Sequence, residues 1–209
     1  SPRTIRRQFS VVLERTIKEL NGITCLNWDD VRQDKQAIFS TRSFGQRLSD
    51  PDAVRTALIN HASVVAQKLR AQQSLTHRIY IFAASSSHEQ AFYKKSAMHQ
   101  FDPPTNDTRV IASAVSKSFE QIYQPGIRFY KCGVGALELS PQQFQQHTLF
   151  EKQTDNPQLM SCLDAINHRF GKGMLSVASS QLNERWHMNR AFLSPQYTTR
   201  WRDIPKIQC

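Results

Sequence analysis

The stretch 35–45, KQAIFSTRSFG, constrains the fold of this chain most. Ala37-Ile38-Phe39 is a short apolar run of strand type. It turns polar and basic at Ser40-Thr41-Arg42-Ser43 and ends at Phe44-Gly45. Ser49-Asp50-Pro51-Asp52 follows with a capping side chain, a proline in the first turn and an acidic residue near the positive helix end, so a helix starts here. A strand running straight into a capped helix opens an alternating pattern of elements.

The pattern continues in kind. Val54, Leu58, Val65 and Leu69 mark the core face of a helix over 51–73, recurring about every 3.6 residues. Strands are expected at 78–85 and 95–101, the second ended by Asp102-Pro103-Pro104. Asp107 caps a second helix whose buried stripe is Val110, Ile111, Ala114, Val115, Phe119 and Ile122, and Pro125-Gly126 stops it. A last strand spans 127–139, where Gly133 and Gly135 imply a bulge or a close backbone approach. The order βαββαβ predicts an α+β fold: a four-stranded antiparallel sheet with both helices on one face and the other face open.

The flanks read differently. Ile5, Phe9, Val12, Leu13, Ile17 and Leu20 predict one amphipathic helix of roughly four turns, closed by Asn21-Gly22. Residues 23–34 form a linker with one anchoring aromatic, Trp28. After the sheet domain, 140–156 is a Gln-rich linker. Asn156-Pro157 then starts a short helix with Leu159, Leu163 and Ile166 inward, ending near Gly171-Lys172-Gly173. The remainder is a small, mostly irregular and helical tail, aromatic and basic; Trp186, Phe192, Tyr197 and Trp201 read as a core that folds the tail on itself or on a larger body, with anchors for a protein partner as the alternative. The expected divisions are therefore 1–22, 23–34, 35–139, 140–156 and 157–209.

The chain carries 27 Lys+Arg against 17 Asp+Glu, a net +10, and so favours a polyanionic partner. No apolar run reaches membrane-spanning length, and the basic opening leads into an amphipathic stretch rather than a signal sequence. Cys25, Cys132, Cys162 and Cys209 are scattered, without CxxC pairing, which fits reduced thiols and a cytoplasmic location. The seven histidines have no metal-ligand spacing. No nucleophile–base arrangement stands out, Gly171 and Gly173 lack the strand-to-helix context of a phosphate loop, and the adjacent pair Asp29-Asp30 reads as solvated surface. Catalytic and metal sites are expected to be absent.

The candidate DNA-binding residues lie on the open sheet face and its rims: Lys35, Ser40, Thr41, Arg42, Ser43, Arg47, Arg78, Lys94, Lys95, Thr105, Arg128 and Lys131. Thr108 and the helix starts at Asp50 and Asp107 add further donors, though each capping carboxylate competes for its own amides. Such groups hold phosphates and carry little sequence information. Strand parity forbids Lys94 and Lys95 from sharing a face. The plainer alternative is a solvated basic surface.

Taken together, IRRQFSVVLERTIKELNG, KQAIFSTRSFG, RFYKCGV, GKGMLSVASS and LSPQYTTRW resemble, in order and over essentially the whole chain, the C-terminal half of UmuC-like Y-family translesion DNA polymerases. The resemblance implies that 1–22 is the end of a thumb, 35–139 a little-finger DNA-binding domain and 157–209 the family's C-terminal tail. It implies lesion bypass in the SOS response as the parent activity, with a catalytic palm upstream holding Mg2+. It also implies primer-template DNA, a UmuD′ dimer and RecA as partners. Gln146-His147-Thr148-Leu149-Phe150 resembles the sliding-clamp peptide Gln-Leu-x-Leu-Phe, with His147 in place of the first Leu. Burying Leu149 and Phe150 would contribute about 1.5–3 kcal/mol each before ordering costs. The expected function is a noncatalytic, DNA-gripping and partner-recruiting segment needing no cofactor of its own. The alternative is a protein-recruitment module with little DNA affinity.

Overall fold

A computed structural model of the chain describes residues 2–25, 33–89, 91–144, 155–179 and 193–205. It divides into two compact units, Ser1–Asp34 and Lys35–Cys209.

The first unit holds two helices where one is expected: α1, Pro2–Gln8, and α2, Val11–Leu20. The break comes at Ser10. Its backbone is extended (φ −165°, ψ 165°), and its side chain accepts a hydrogen bond from the Leu13 amide at 3.2 Å. A serine that caps a new helix cannot also continue the previous one. The buried residue of α2 is Glu14, held by Lys18 at 2.8 Å. The apolar residues Phe9, Val12, Leu13 and Leu20 are exposed. A unit this small cannot bury a core of its own.

In the second unit the elements run β1 (Ile38–Leu48), α3 (Pro51–Ala71), β2 (Ser74–Ala84), β3 (Lys94–Thr105), α4 (Thr108–Ile122), β4 (Phe129–Pro141) and α5 (Pro157–Phe170). The strands form one antiparallel sheet in the order β1-β4-β2-β3. Asp50 and Asp107 cap α3 and α4 through the amides of Ala53 and Arg109. Both helices lie over one sheet face. Val54, Leu58, Val65 and Leu69 of α3 and Ile111, Val115, Phe119 and Ile122 of α4 close on Ile79, Ile81, Phe129, Val134 and Ala136. The α+β, βαββαβ architecture is the one expected.

Three details differ in ways that matter here. β2 begins at Ser74, four residues early. β3 runs through Asp102-Pro103-Pro104 to Thr105, beyond its predicted end. The prolines fall in a register irregularity between the pairs Arg78↔Gln100 and Thr76↔Thr105, on an edge strand, where missing amides break no ladder on the outer side. In α5 the buried residue is Met160, not Leu159, which is exposed. α5 docks against the α3–α4 side through polar groups. The Arg70 guanidinium donates to both Asp164 carboxylate oxygens at 2.6 and 2.8 Å, and also to the Asn106 carbonyl and the Thr108 hydroxyl. Among the described residues no helix is long and apolar enough to cross a membrane.

Candidate nucleic-acid interface

Register resolves which side chains share the open face. Side chains alternate along a strand, so the face opposite α3 and α4 carries four rows read across β1, β4, β2 and β3. One row is Ser43, Lys131, Ala84 and Lys94. The next is Thr41, Gly133, Phe82 and Ser96. The third is Phe39, Gly135, Tyr80 and Met98. In the last, Leu137, Arg78 and Gln100 lie side by side. This surface is polar and basic at one end and aromatic in the middle.

The two glycines shape the middle. They stand in regular register with both neighbouring strands, so neither makes a bulge. A Cβ on Gly133 would meet the Thr41 methyl at 2.5 Å, Phe82 at 2.9 Å and the Ser40 carbonyl oxygen at 2.9 Å. A Cβ on Gly135 would fall on the Phe39 ring. The bare backbone is thus covered by neighbouring side chains. Phe39, 48 % exposed, shows solvent the side that does not cover Gly135. Phe82 and Tyr80 stack at 5.9 Å between centroids, and the Lys94 ammonium lies 5.9 Å from the Phe82 ring.

The expected DNA-binding residues divide into several groups. Thr41, Ser43, Arg78, Lys94 and Lys131 share the open face. Lys94, Lys131 and Thr41 are exposed, whereas Arg78 is tied to Glu138 at 2.8 Å. Ser40 and Arg42 have the parity of the buried Ile38 and Phe44 and so face the helix side. The Ser40 hydroxyl is 2.9 Å from His61 Nδ1 on α3. Burial first, then the charges of Arg42 and Lys68, depress the His61 pKa to about 4. With Lys68, whose ammonium donates to the Phe39 carbonyl, these residues line the outer rim of β1. Lys95 pairs with Ala83 and shares its helix-side parity. Arg47 pairs with Glu89 and lies over the Tyr130 ring, within the β1 irregularity between Ser43 and Leu48. Arg128 is exposed just before β4, and the main chain of Lys35 is held by the Gln72 side chain.

Thr105 and Thr108 are taken up by the fold. Thr105 is 2 % exposed and donates to Asp155 at 2.7 Å; Thr108 accepts from Arg70. The α4 N-terminus is likewise occupied. Asp107 accepts from the amides of Arg109 and Asn156 and pairs with the Arg109 guanidinium. Burial raises the Asp107 pKa, but the Arg109 side chain and those two amides outweigh it, and the net shift is downward. The neighbouring Asp155 is raised, by burial above all, with the Thr105 bond opposing and the Asp107 charge adding.

Sequence reading missed Phe39, Tyr80, Phe82 and Met98 on the open face. The signal was present in the alternation of Tyr80-Ile81-Phe82, whose outward members are aromatic. The clamp-like peptide Gln146, His147, Thr148, Leu149 and Phe150 lies outside the described residues, as do Asp29, Asp30, Trp28 and Trp186. Among the described residues no group of His, Cys, Asp and Glu could hold a metal ion.

Comparison with known proteins adds two family matches. Residues 35–149 match the impB/mucB/samB family C-terminal domain, and residues 157–207 match a domain of unknown function, DUF4113. Protein SamB of Salmonella typhimurium is 38 % identical over 210 residues, covering 98 % of this chain and 49 % of its own length. Protein UmuC of the same species, strain LT2, is 35 % identical, with 98 % of this chain and 50 % of its own length covered. Protein MucB of Escherichia coli is 35 % identical, with 97 % and 49 % covered. The chain spans about half the length of these curated relatives.

Proposed function

From the premise that the chain belongs to the impB/mucB/samB family and forms its UmuC-like C-terminal segment, we propose that it is the noncatalytic DNA grip of an error-prone translesion polymerase of the polymerase V type. One observation carries this reading. The open sheet face, opposite both helices, presents the exposed Lys94 and Lys131 with Thr41 and Ser43 beside them. Ammonium and hydroxyl groups on an open antiparallel face suit phosphates, which they hold without reading bases. The net charge of +10 supplies the longer-range attraction.

The grip uses the exposed face, with Arg42, Lys35, Arg128, Lys95 and Arg47 at the rims. Thr105 leaves the set, because its hydroxyl is spent inside the fold. The catalytic work, with its Mg2+, belongs to a palm in the parent polymerase, and lesion bypass in SOS mutagenesis is the activity the grip serves. Partner recruitment is the second task. The clamp peptide 146–150 supports a sliding-clamp contact by its sequence, and family resemblance supports a UmuD′ dimer and RecA.

The test is a titration of DNA affinity against salt. Phosphate neutralisation releases counterions, so log K should fall linearly with log salt, by about 0.9 per phosphate held. We expect weak, sequence-independent binding at about 50 mM salt that is largely lost by about 200 mM. Binding insensitive to salt, or none at the lower concentration, overturns the reading in favour of a recruitment module.

A further inference from the structure

We propose that the aromatic middle of the open face is a stacking platform for unpaired bases, so that the segment prefers single-stranded DNA over a charge-matched strand without bases. The inference rests on the DNA-gripping reading and deepens it by naming the part of the DNA engaged.

The argument starts from cost. An aromatic side chain on a solvent-facing strand position leaves apolar surface in water, and Phe39, Tyr80, Phe82 and Met98 do so together on β1, β2 and β3, with the glycines of β4 between β1 and β2. Phe39 is 48 % and Met98 61 % exposed, while Tyr80 and Phe82 are half-buried. The glycines beneath explain the geometry. Gly133 and Gly135 carry no side chain of their own, so Phe39 and Phe82 lean over bare backbone. In these two rows β4 therefore raises no side chain of its own between the residues of β1 and the rings of β2.

The flanking charge selects the ligand. Lys131 and Lys94 stand one or two rows away, within the reach of a nucleotide backbone whose base lies on Phe82 or Tyr80. Lys94 already approaches the Phe82 ring. An apolar protein partner would not need cations on the rim of its pocket, whereas a strand with bases and phosphates uses both. A duplex hides its base faces in its own stack. Four-stranded sheets that take single strands work by this division of labour: rings for bases, cations for phosphates.

The experiment compares a thymidine oligomer of about ten nucleotides with an abasic strand carrying the same phosphates, by fluorescence anisotropy at low salt. The thymidine strand should bind about tenfold tighter or more. Tyr80→Leu with Phe82→Leu keeps apolar bulk but removes both ring faces. It should erase that preference while leaving abasic affinity within about twofold. Equal affinity of the unaltered protein for the two strands overturns the platform and leaves the phosphate grip standing. Failure to bind either strand overturns both. A double variant that keeps the full preference also refutes the assignment. The first comparison needs no variant, so poor folding of the substituted protein cannot rescue the proposal.

Discussion

At the scale of single residues, Gly133 and Gly135 look alike in sequence and differ in what they tolerate. A Cβ at Gly133 would meet the Ser40 carbonyl oxygen, part of a paired backbone that cannot move aside. At Gly135 the obstacle is the ring of Phe39, half-exposed and able to swing outward. Gly133→Ala is therefore expected to cost about 1–3 kcal/mol by overpacking, and Gly135→Ala clearly less, as measured by urea unfolding. His61 gives a second test. Its folded pKa of about 4 lies below the ordinary value near 6.5, because burial and the Arg42 and Lys68 charges oppose protonation. Between those two values the unfolded chain binds the extra proton, so stability should fall as pH drops through that window, by up to about 3 kcal/mol. His61→Gln should flatten this part of the stability profile relative to the parent. Residue-level legibility was uneven for a physical reason. Ile38, Phe39 and Phe44 are all apolar but do not share one face, since Phe39 covers Gly135. Three apolar residues of mixed parity leave the side of Ser40 and Arg42 open in the sequence; the burial of Ile38 and Phe44 settles it, and the Ser40–His61 contact agrees.

At the scale of elements, capped helices and the strand-to-helix order were readable because caps, prolines and apolar stripes act locally. What escaped depended on distant partners. The single helix expected over 5–20 breaks because Ser10 caps its own helix. β3 crosses two prolines because it is an edge strand, a fact of sheet order that no local window contains. The apolar spacing of α5 predicts an inward stripe of Leu159, Leu163 and Ile166, yet the helix buries Met160 and is anchored by Arg70 and Asp164, which are 94 positions apart and look like solvated charges in sequence. The Arg70 side chain is 11 % exposed and that of Asp164 is 29 %, so the pair lies between buried and surface cases. Breaking it should cost about 2 kcal/mol, between the ~0–1 of exposed pairs and the ~3–5 of buried ones. Asp164→Ala should speed hydrogen exchange in α5 roughly 30-fold while leaving the central strands β2 and β4 protected. Unchanged exchange in α5 would mean that the pair does not hold the helix. This docking also gives the helix that opens the DUF4113 match a structural role: it packs on the little-finger-type unit rather than standing apart.

At the scale of the whole molecule, four strands, two covering helices and an open basic face were legible from the order of elements and the net charge. The strand order β1-β4-β2-β3, and with it the aromatic rows, required the pairing itself. Two surfaces with separate tasks follow from the proposed function. Leu149→Ala with Phe150→Ala should abolish binding to the sliding clamp and leave DNA affinity within about twofold, because the peptide follows the end of β4 in the sequence and shares no residue with the grip. Loss of both activities in a calorimetric titration would contradict that separation. The central claim is that phosphates are held by the open face, and the most direct test is the salt slope of DNA binding in charge variants. Lys94→Ala with Lys131→Ala removes two cations from the open face. Lys117→Ala removes one exposed cation from α4, on the opposite side of the sheet. The account predicts that the double variant binds every DNA sequence more weakly, with a salt slope shallower by about two, while Lys117→Ala keeps the parent slope. An unchanged slope in the double variant, or an equal loss per charge from Lys117→Ala, would contradict it.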